Sequence, residues 1–340
     1  MTPPVTRREA RAAHLFTAPP APARHARARR AARLGVVFAA VAGIALVVGG
    51  AAAVTSALTA AGPVRDERLA AAPTPSATPV PLPQAVEAIP APSVALAPAI
   101  VDLCGIPAFT DALAAGDDAA AIAAAGGAEA FRTSVSAGAA GCVSLSDPGR
   151  VWVVVNKLRP FDPVDHQPSS LARPPVREIS TANLRPDAAA ALSDMFAAAS
   201  AAGAGELGLD SGYRSYRTQR TTYQRLVSVK GVQGADMVSA RPGFSEHQSG
   251  LAADVTACSP GCVGLEAFAG TTQQQWIAAH AWEFGWIVRY EAECTSITGY
   301  SPEPWHLRYI GRELAAAYHA GGWRTLEEFF GLPPAPSYAD

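Results

Sequence analysis

Residues 34–64 carry no charged side chain, and residues 34–54 (LGVVFAAVAGIALVVGGAAAV) are almost wholly apolar. No other feature constrains the chain as much, because a run of this length cannot lie on a water-facing surface. As a helix, its residues rise about 1.5 Å each and cross the roughly 30 Å hydrocarbon layer of a bilayer. Directly before it, Arg7, Arg8, Arg11, Arg24, Arg27, Arg29, Arg30 and Arg33 stand against the single acid Glu9, and such positive flanks stay cytoplasmic. The pattern predicts a basic cytoplasmic arm (1–33), a single-pass membrane anchor (34–56) whose partner is the lipid bilayer, and an extracytoplasmic remainder. The alternative is a cleaved signal peptide and a secreted product, although the apolar stretch of such a peptide is usually about 7–15 residues. Both readings export the rest of the chain. The arm is most simply a topology signal, with binding of anionic lipid second.

Residues 57–100 hold Pro63, Pro73, Pro75, Pro79, Pro81, Pro83, Pro90, Pro92 and Pro98 among Ala, Ser, Thr and Val. Proline has no donor for helix or sheet ladders, so the segment reads as a stiff stalk. Net charge over the 340 residues is −2; with the basic arm set aside the remainder is acidic, which excludes a nucleic-acid partner. Hydrophobic residues make up 49% but aromatics only 7%, so much of the apolar count is alanine. Alanine dominates 101–149, where 117–136 reads as one or two weakly amphipathic helices of unread role. Five cysteines suit an oxidising compartment: Cys104 with Cys142 and Cys258 with Cys262 are the candidate disulfides, and Cys294 is left single. A zinc knuckle at Cys258 and Cys262 fits less well, since the gap is three residues and no second knuckle follows.

Residues 150–331 form the most informative domain, with 332–340 a tail. Strands are expected at 151–157 (VWVVVNK), 206–210, 251–256, 286–290 and 305–310, and helices at 186–202 (opened by Pro186), 215–229, 272–284 and 312–320. Without a regular β-α-β rhythm, the fold class is α+β, a small antiparallel sheet with flanking helices.

Two short segments carry chemistry: Ser245-Glu-His247-Gln-Ser-Gly250-Leu-Ala-Ala-Asp254 and Glu303-Pro-Trp-His306. A hydrolytic zinc site needs three ligands from His and carboxylate plus an open position, and a carboxylate off the metal to take a proton from water. His247, Asp254 and His306 supply the first set and Glu303 the second. Pro304 opposes a continuous helix there, so His306 is expected on a strand with Arg308 on its face and Glu303 on the loop before it. Gly250 permits a turn between His247 and the strand of Asp254.

These motifs, together with Ser211-Gly-Tyr-Arg214-Ser, Arg241-Pro-Gly-Phe-Ser245, Thr298-Gly-Tyr300 and His306-Leu-Arg-Tyr-Ile-Gly311, resemble the VanY-type D-alanyl-D-alanine carboxypeptidases, the LAS zinc metallopeptidases. The resemblance covers roughly 151–331. It implies a hedgehog-like zinc peptidase domain with one Zn2+ on His247, Asp254 and His306. It also implies Glu303 as general base toward a zinc-activated water, and Arg214 as a catalytic and substrate-binding cation. Ser245 and Gln219 could hydrogen-bond the peptide. The implied activity is a D,D-carboxypeptidase acting on peptidoglycan stem peptides. L,D-carboxypeptidase, D,D-dipeptidase, wall endopeptidase and a non-catalytic wall-binding module remain the alternatives. Plainer roles are expected elsewhere: His280 and His319 structural, His14 and His25 in the arm, His166 in a loop, and Trp276, Trp282 and Trp286 in the core rather than on a glycan platform. Arg214 as an ordinary salt-bridge residue, and Arg308 as a ligand support or a paired strand residue, stay open.

Overall fold

The computed structural model describes residues 99–180 and 182–339. The expected arm, anchor and stalk up to residue 98 lie outside the described residues, among which no helix is long and apolar enough to cross a membrane.

Strands β1 (Leu207–Ser211), β2 (Ala252–Ala257), β3 (Trp286–Tyr290) and β4 (Glu303–Tyr309) form one antiparallel sheet in the order β1-β2-β4-β3. β2 is buried along its length because both of its faces are covered. Leu251, Ala253, Val255 and Ala257 join the larger core cluster, so the alternation of a strand turns Asp254 to the other face. Helix α4 (Pro186–Ala201) begins on Pro186, and its Ala188, Leu192, Met195 and Ala199 lie three or four residues apart on the buried stripe of that core.

The run at 151–157 is buried as expected but is not a strand: its one bridge links Asn156 to Arg159. The carbonyls of Val151 and Val153 accept from Arg308 Nη2 at 3.0 and 2.8 Å, and the Val154 N–H donates to Leu145 O at 2.8 Å. A side chain thus replaces the neighbouring strand. Val153 and Val155 enter one core and Trp152 and Val154 the other, so the segment stitches the two together.

Residues 101–149 hold α1 (Pro107–Ala115), α2 (Asp118–Ala124) and α3 (Ala128–Ser136), the last two filling the 117–136 stretch expected to form one or two helices. The Asp117 side chain caps α2, and Gly116 and Gly127 break the alanine run. The Cys104–Cys142 disulfide closes the segment. Phe109, Ile122 and Phe131 pack into the second core with Trp152, Leu314 and Phe329, the rings of Phe131 and Trp152 lying 4.9 Å apart.

Helix α5 (Tyr216–Asp236), N-capped by Ser215, runs past its expected end and is interrupted at Gly231, whose φ is +72°. Helix α6 (Thr272–His280) tightens into a 3-10 turn at Ala281–Phe284, and a short α7 (Thr295–Thr298) was not foreseen. Helices α8 (Arg312–Ala320) and α9 (Leu326–Phe329) complete the second core. Cys258–Cys262 is a disulfide, and Cys294 is buried and unpaired.

Candidate active site

Sheet register brings the ligand candidates together. Asp254 on β2 sits opposite His306 on β4, and Ser211 on β1 lies beside Asp254. His247 arrives from a 3-10 turn, Glu246–Ser249, ended by Gly250 at φ +71°. A Cβ at Gly250 would also press within 3.1 Å of Leu171 and 3.2 Å of the Arg185 nitrogen, so both conformation and space require glycine there. His247 Nε2 lies 3.2 Å from Asp254 Oδ2, and His306 Nδ1 lies 3.2 Å from Asp254 Oδ1. One donor atom from each of the three falls within 4.8 Å of the others.

Glu303 is not on a loop, as expected from Pro304, but is the first residue of β4. Between the pairs Val288–Leu307 and Tyr290–Glu303, β4 spans two more residues than β3, and Pro304, which offers no donor, falls in that irregularity. The extra residues let Glu303 share a side with His306, and its Oε2 lies 3.8 Å from His306 Nδ1.

The far nitrogens of both imidazoles are occupied. His247 Nδ1 donates to Gly212 O at 2.7 Å, which leaves Nε2 as the acceptor facing Asp254. A Cβ at Gly212 would come within 2.5 Å of Asn183 O, so this close backbone also needs glycine. His306 Nε2 donates to Glu246 Oε2 at 3.3 Å, which turns Nδ1 inward. Such outer partners fix the tautomer and raise the basicity of a metal-binding imidazole. Glu246 Oε1 in turn accepts from Arg289 Nε at 3.0 Å and Arg308 Nη1 at 3.1 Å. Arg289 makes a two-pronged bond to Glu327, which also accepts from Asn156. Sequence reasoning missed Glu246, Arg289, Glu327 and Asn156. The available signals were Asn156 inside an apolar run and Arg289 inside an apolar strand. Arg308 is fully buried and serves as a ligand support.

The charges follow from this burial. Burial raises the carboxyls of Glu246 and Asp254, but Arg289, Arg308 and His306 around the first, and His247 and His306 around the second, outweigh it and hold both far below the usual carboxylate range. Burial also depresses His306, yet the Asp254 and Glu246 carboxylates beside it push it up to about 9. His247 is lowered, chiefly by burial. Burial, reinforced by Asp254 and opposed by His306 and Arg214, lifts Glu303 to about 7. A base poised near neutrality is what proton transfer at physiological pH requires.

Asp254 Oδ1 is buried without a hydrogen bond among the described residues, despite the nearby imidazole. Two imidazole nitrogens and a carboxylate oxygen converging on such an unsatisfied atom fit one metal ion, and the donor chemistry is that of catalytic zinc. These side chains line a cleft of about 530 Å³ with Arg214, Ser245, Tyr290 and Tyr300. Arg214 is not tied into a salt bridge; its Nε has no partner among the described residues, and burial lowers its pKa against the pull of Asp254 and Glu303. Ser245 lines the cleft and is almost fully buried. Gln219 does not: its Nε2 donates to Ser239 Oγ at 3.1 Å and Ala240 O at 2.6 Å, so it holds the loop behind the cleft instead of meeting a peptide. His166 stacks on Phe161, His280 bonds to Glu283, and His319 stacks on Trp282, all away from the metal ligands.

Comparison with known proteins agrees with this geometry. A family model described as VanY, D-alanyl-D-alanine carboxypeptidase, matches residues 181–312. YodJ of Bacillus subtilis (strain 168), provisionally named a carboxypeptidase, is 39% identical over 195 residues, which cover 56% of this chain and 70% of YodJ. A D-alanyl-D-alanine carboxypeptidase of Enterococcus faecalis is 36% identical over 148 residues, 41% of this chain and 52% of that protein. Among solved structures, the LdcB LD-carboxypeptidase superposes with a TM-score of 0.51 at 39% identity, over 54% of this chain and 87% of LdcB. With its ligand triad, its off-metal glutamate and these matches, the chain belongs to the VanY family of D-alanyl-D-alanine carboxypeptidases.

Proposed function

We propose that this protein is a zinc D,D-carboxypeptidase that removes the terminal D-alanine of peptidoglycan stem peptides. The observation that carries the reading is the convergence of His247, Asp254 and His306 with Glu303 beside them and an unpaired Arg214 in the same cleft. His247 Nε2, an Asp254 oxygen and His306 Nδ1 would hold one zinc ion. When bound, that ion polarises the scissile carbonyl and makes the attacking water more acidic. Glu303 takes a proton from that water as its oxygen adds to the carbonyl carbon, then gives it to the amine nitrogen of D-alanine as the C–N bond breaks. Arg214 offers charge-assisted hydrogen bonds to the substrate carboxylate or to the oxygen on which charge develops. Ser245, which lines the cleft, would hydrogen-bond the peptide.

A second reading, L,D-carboxypeptidase, draws on the 39%-identical LdcB. Incubating the zinc-loaded protein with stem pentapeptide and tetrapeptide and weighing the products separates the two. Conversion of pentapeptide to tetrapeptide is expected; conversion of tetrapeptide to tripeptide alone would favour the second reading, and no D-alanine from either would overturn both.

The protein is proposed to work outside the cell on a single-pass anchor. Supporting this are the uncharged run over 34–64 behind eight arginines, the proline-rich stalk that follows and two disulfides beyond that stalk. Cleavage of that segment, giving a secreted enzyme, is the alternative.

A further inference from the structure

The tail expected at 332–340 lies beyond residues 181–312 of the family match, yet its described part is fastened to the catalytic cleft. The Ala335 N–H donates to Ile297 O at 2.7 Å. Gly299, at φ +80°, leaves room for this passage, since a Cβ there would come within 2.7 Å of both Ala335 O and Pro336 O. The passage leads to Tyr338, which is 7% exposed. Its ring meets Phe244 edge-on with centroids 5.1 Å apart. The Arg241 guanidinium lies 4.2 Å from that ring and the Lys157 ammonium 5.5 Å.

At the Tyr338 hydroxyl two sides of the cleft meet. Its oxygen accepts the Arg241 N–H at 2.8 Å and shares a 3.1 Å hydrogen bond with the Tyr300 hydroxyl. Tyr300 lines the cleft from the segment before β4, and Ala240 and Ser245 line it from the two ends of the Arg241–Phe244 turn. Neighbouring groups are committed elsewhere: Arg241 pairs with Asp236 at 2.9 Å, and Lys157 Nζ donates to Gly299 O. Among the described residues the Tyr300 hydroxyl has no hydrogen-bond partner besides Tyr338. The metal ligands are held independently of this contact, His247 by Gly212 O and His306 by Glu246.

We propose that Tyr338 is a positioning residue: its hydroxyl ties Tyr300 to the loop that carries Ser245 and so sets the shape of the cleft that receives the peptide. Its effect on catalysis rests on the function proposed above. Cleft walls held in place before binding spare the complex the cost of ordering them. Loss of the tie weakens binding of ground state and transition state alike, which raises KM and leaves kcat.

The test is steady-state kinetics of the zinc-loaded full chain on stem pentapeptide with Tyr338→Phe, Tyr300→Phe and their combination. Tyr338→Phe keeps the ring beside Lys157 and Arg241 and removes only the hydroxyl. It is expected to raise KM about tenfold, with kcat within about twofold of wild type and zinc content unchanged. Tyr300→Phe is expected to raise KM as well, and the combination no further than Tyr338→Phe alone, because the bond they share is lost once. The Cys104→Ala, Cys142→Ala double variant controls for general loosening of the fold and is expected to keep the wild-type KM. In parallel, hydrogen exchange read by mass spectrometry is expected to run about two- to tenfold faster over 241–245 in Tyr338→Phe, a readout that needs no turnover. An unchanged KM in Tyr338→Phe, additive effects in the combination, an equal rise in the cysteine control or unchanged exchange over 241–245 would overturn the proposal. If the wild type releases no D-alanine from stem peptides, the catalytic reading fails, while the exchange measurement still decides the tie.

Discussion

Glu303 and His306 make separable contributions. Glu303 stands off the ligand set, 3.8 Å from His306 Nδ1, so Glu303→Gln is expected to retain zinc while losing about 10²–10⁴-fold in kcat; comparing metal content with turnover in the purified variant checks this. Metal binding, in contrast, must displace the proton that His306 keeps below about 9 in the metal-free protein. Because that pKa is raised, lowering the pH strengthens the proton's hold and weakens the metal's. Zinc affinity is expected to rise about tenfold per pH unit between pH 6 and 8, measurable by competition with a chromophoric chelator; a flat profile would contradict it. Glu246 carries one further consequence. Glu246→Gln takes the charge that orients His306 and faces Arg289 and Arg308, and a 10–100-fold loss of zinc affinity is expected in the same assay. Of these residues the sequence disclosed His247, Asp254, His306 and Glu303, because metal and proton chemistry restrict side-chain type. Glu246 stayed hidden, since a charged residue before a histidine reads as surface until burial is known. Gln219 misled for the opposite reason: an amide suits a peptide and a loop carbonyl equally well.

At the level of elements, strands β1 to β3 and helices α4, α6 and α8 were legible to within a few residues from alternation, Pro186 and the glycines that end them. The segment at 151–157 was not, because β-branched composition reports burial and not the identity of the hydrogen-bonding partner, here the guanidinium of Arg308. Glu303 was misplaced for a related reason, since Pro304 argues against helix but says nothing of a register irregularity. The disulfide Cys104–Cys142 spans 38 positions. On the chain-entropy account, closing a loop of that length stabilises the fold by about 4 kcal/mol. The Cys104→Ala, Cys142→Ala double variant is expected to unfold at a lower denaturant midpoint while keeping its zinc, because the loop it closes lies outside the ligand set. An unchanged midpoint would contradict this.

For the whole molecule, the helices at 107–136 and the catalytic half share one core, so the alanine-rich segment of unread role supports the sheet that carries the metal ligands. Its three helices could not be joined to that core from sequence, since alanine spacing does not name the partner surface. The proposed anchor belongs to this scale as well. The chain is expected in the carbonate-resistant membrane fraction, with its catalytic half open to protease added outside the cell, and recovery in the soluble medium would favour the cleaved form. Everything proposed for activity depends on one metal ion held by two imidazoles and an aspartate. The most direct measurement is zinc per chain in the purified protein, followed through chelation and re-addition together with D-alanine release. About one zinc per chain is expected, lost and regained in step with activity. A metal-free chain that releases D-alanine unimpaired would contradict the account.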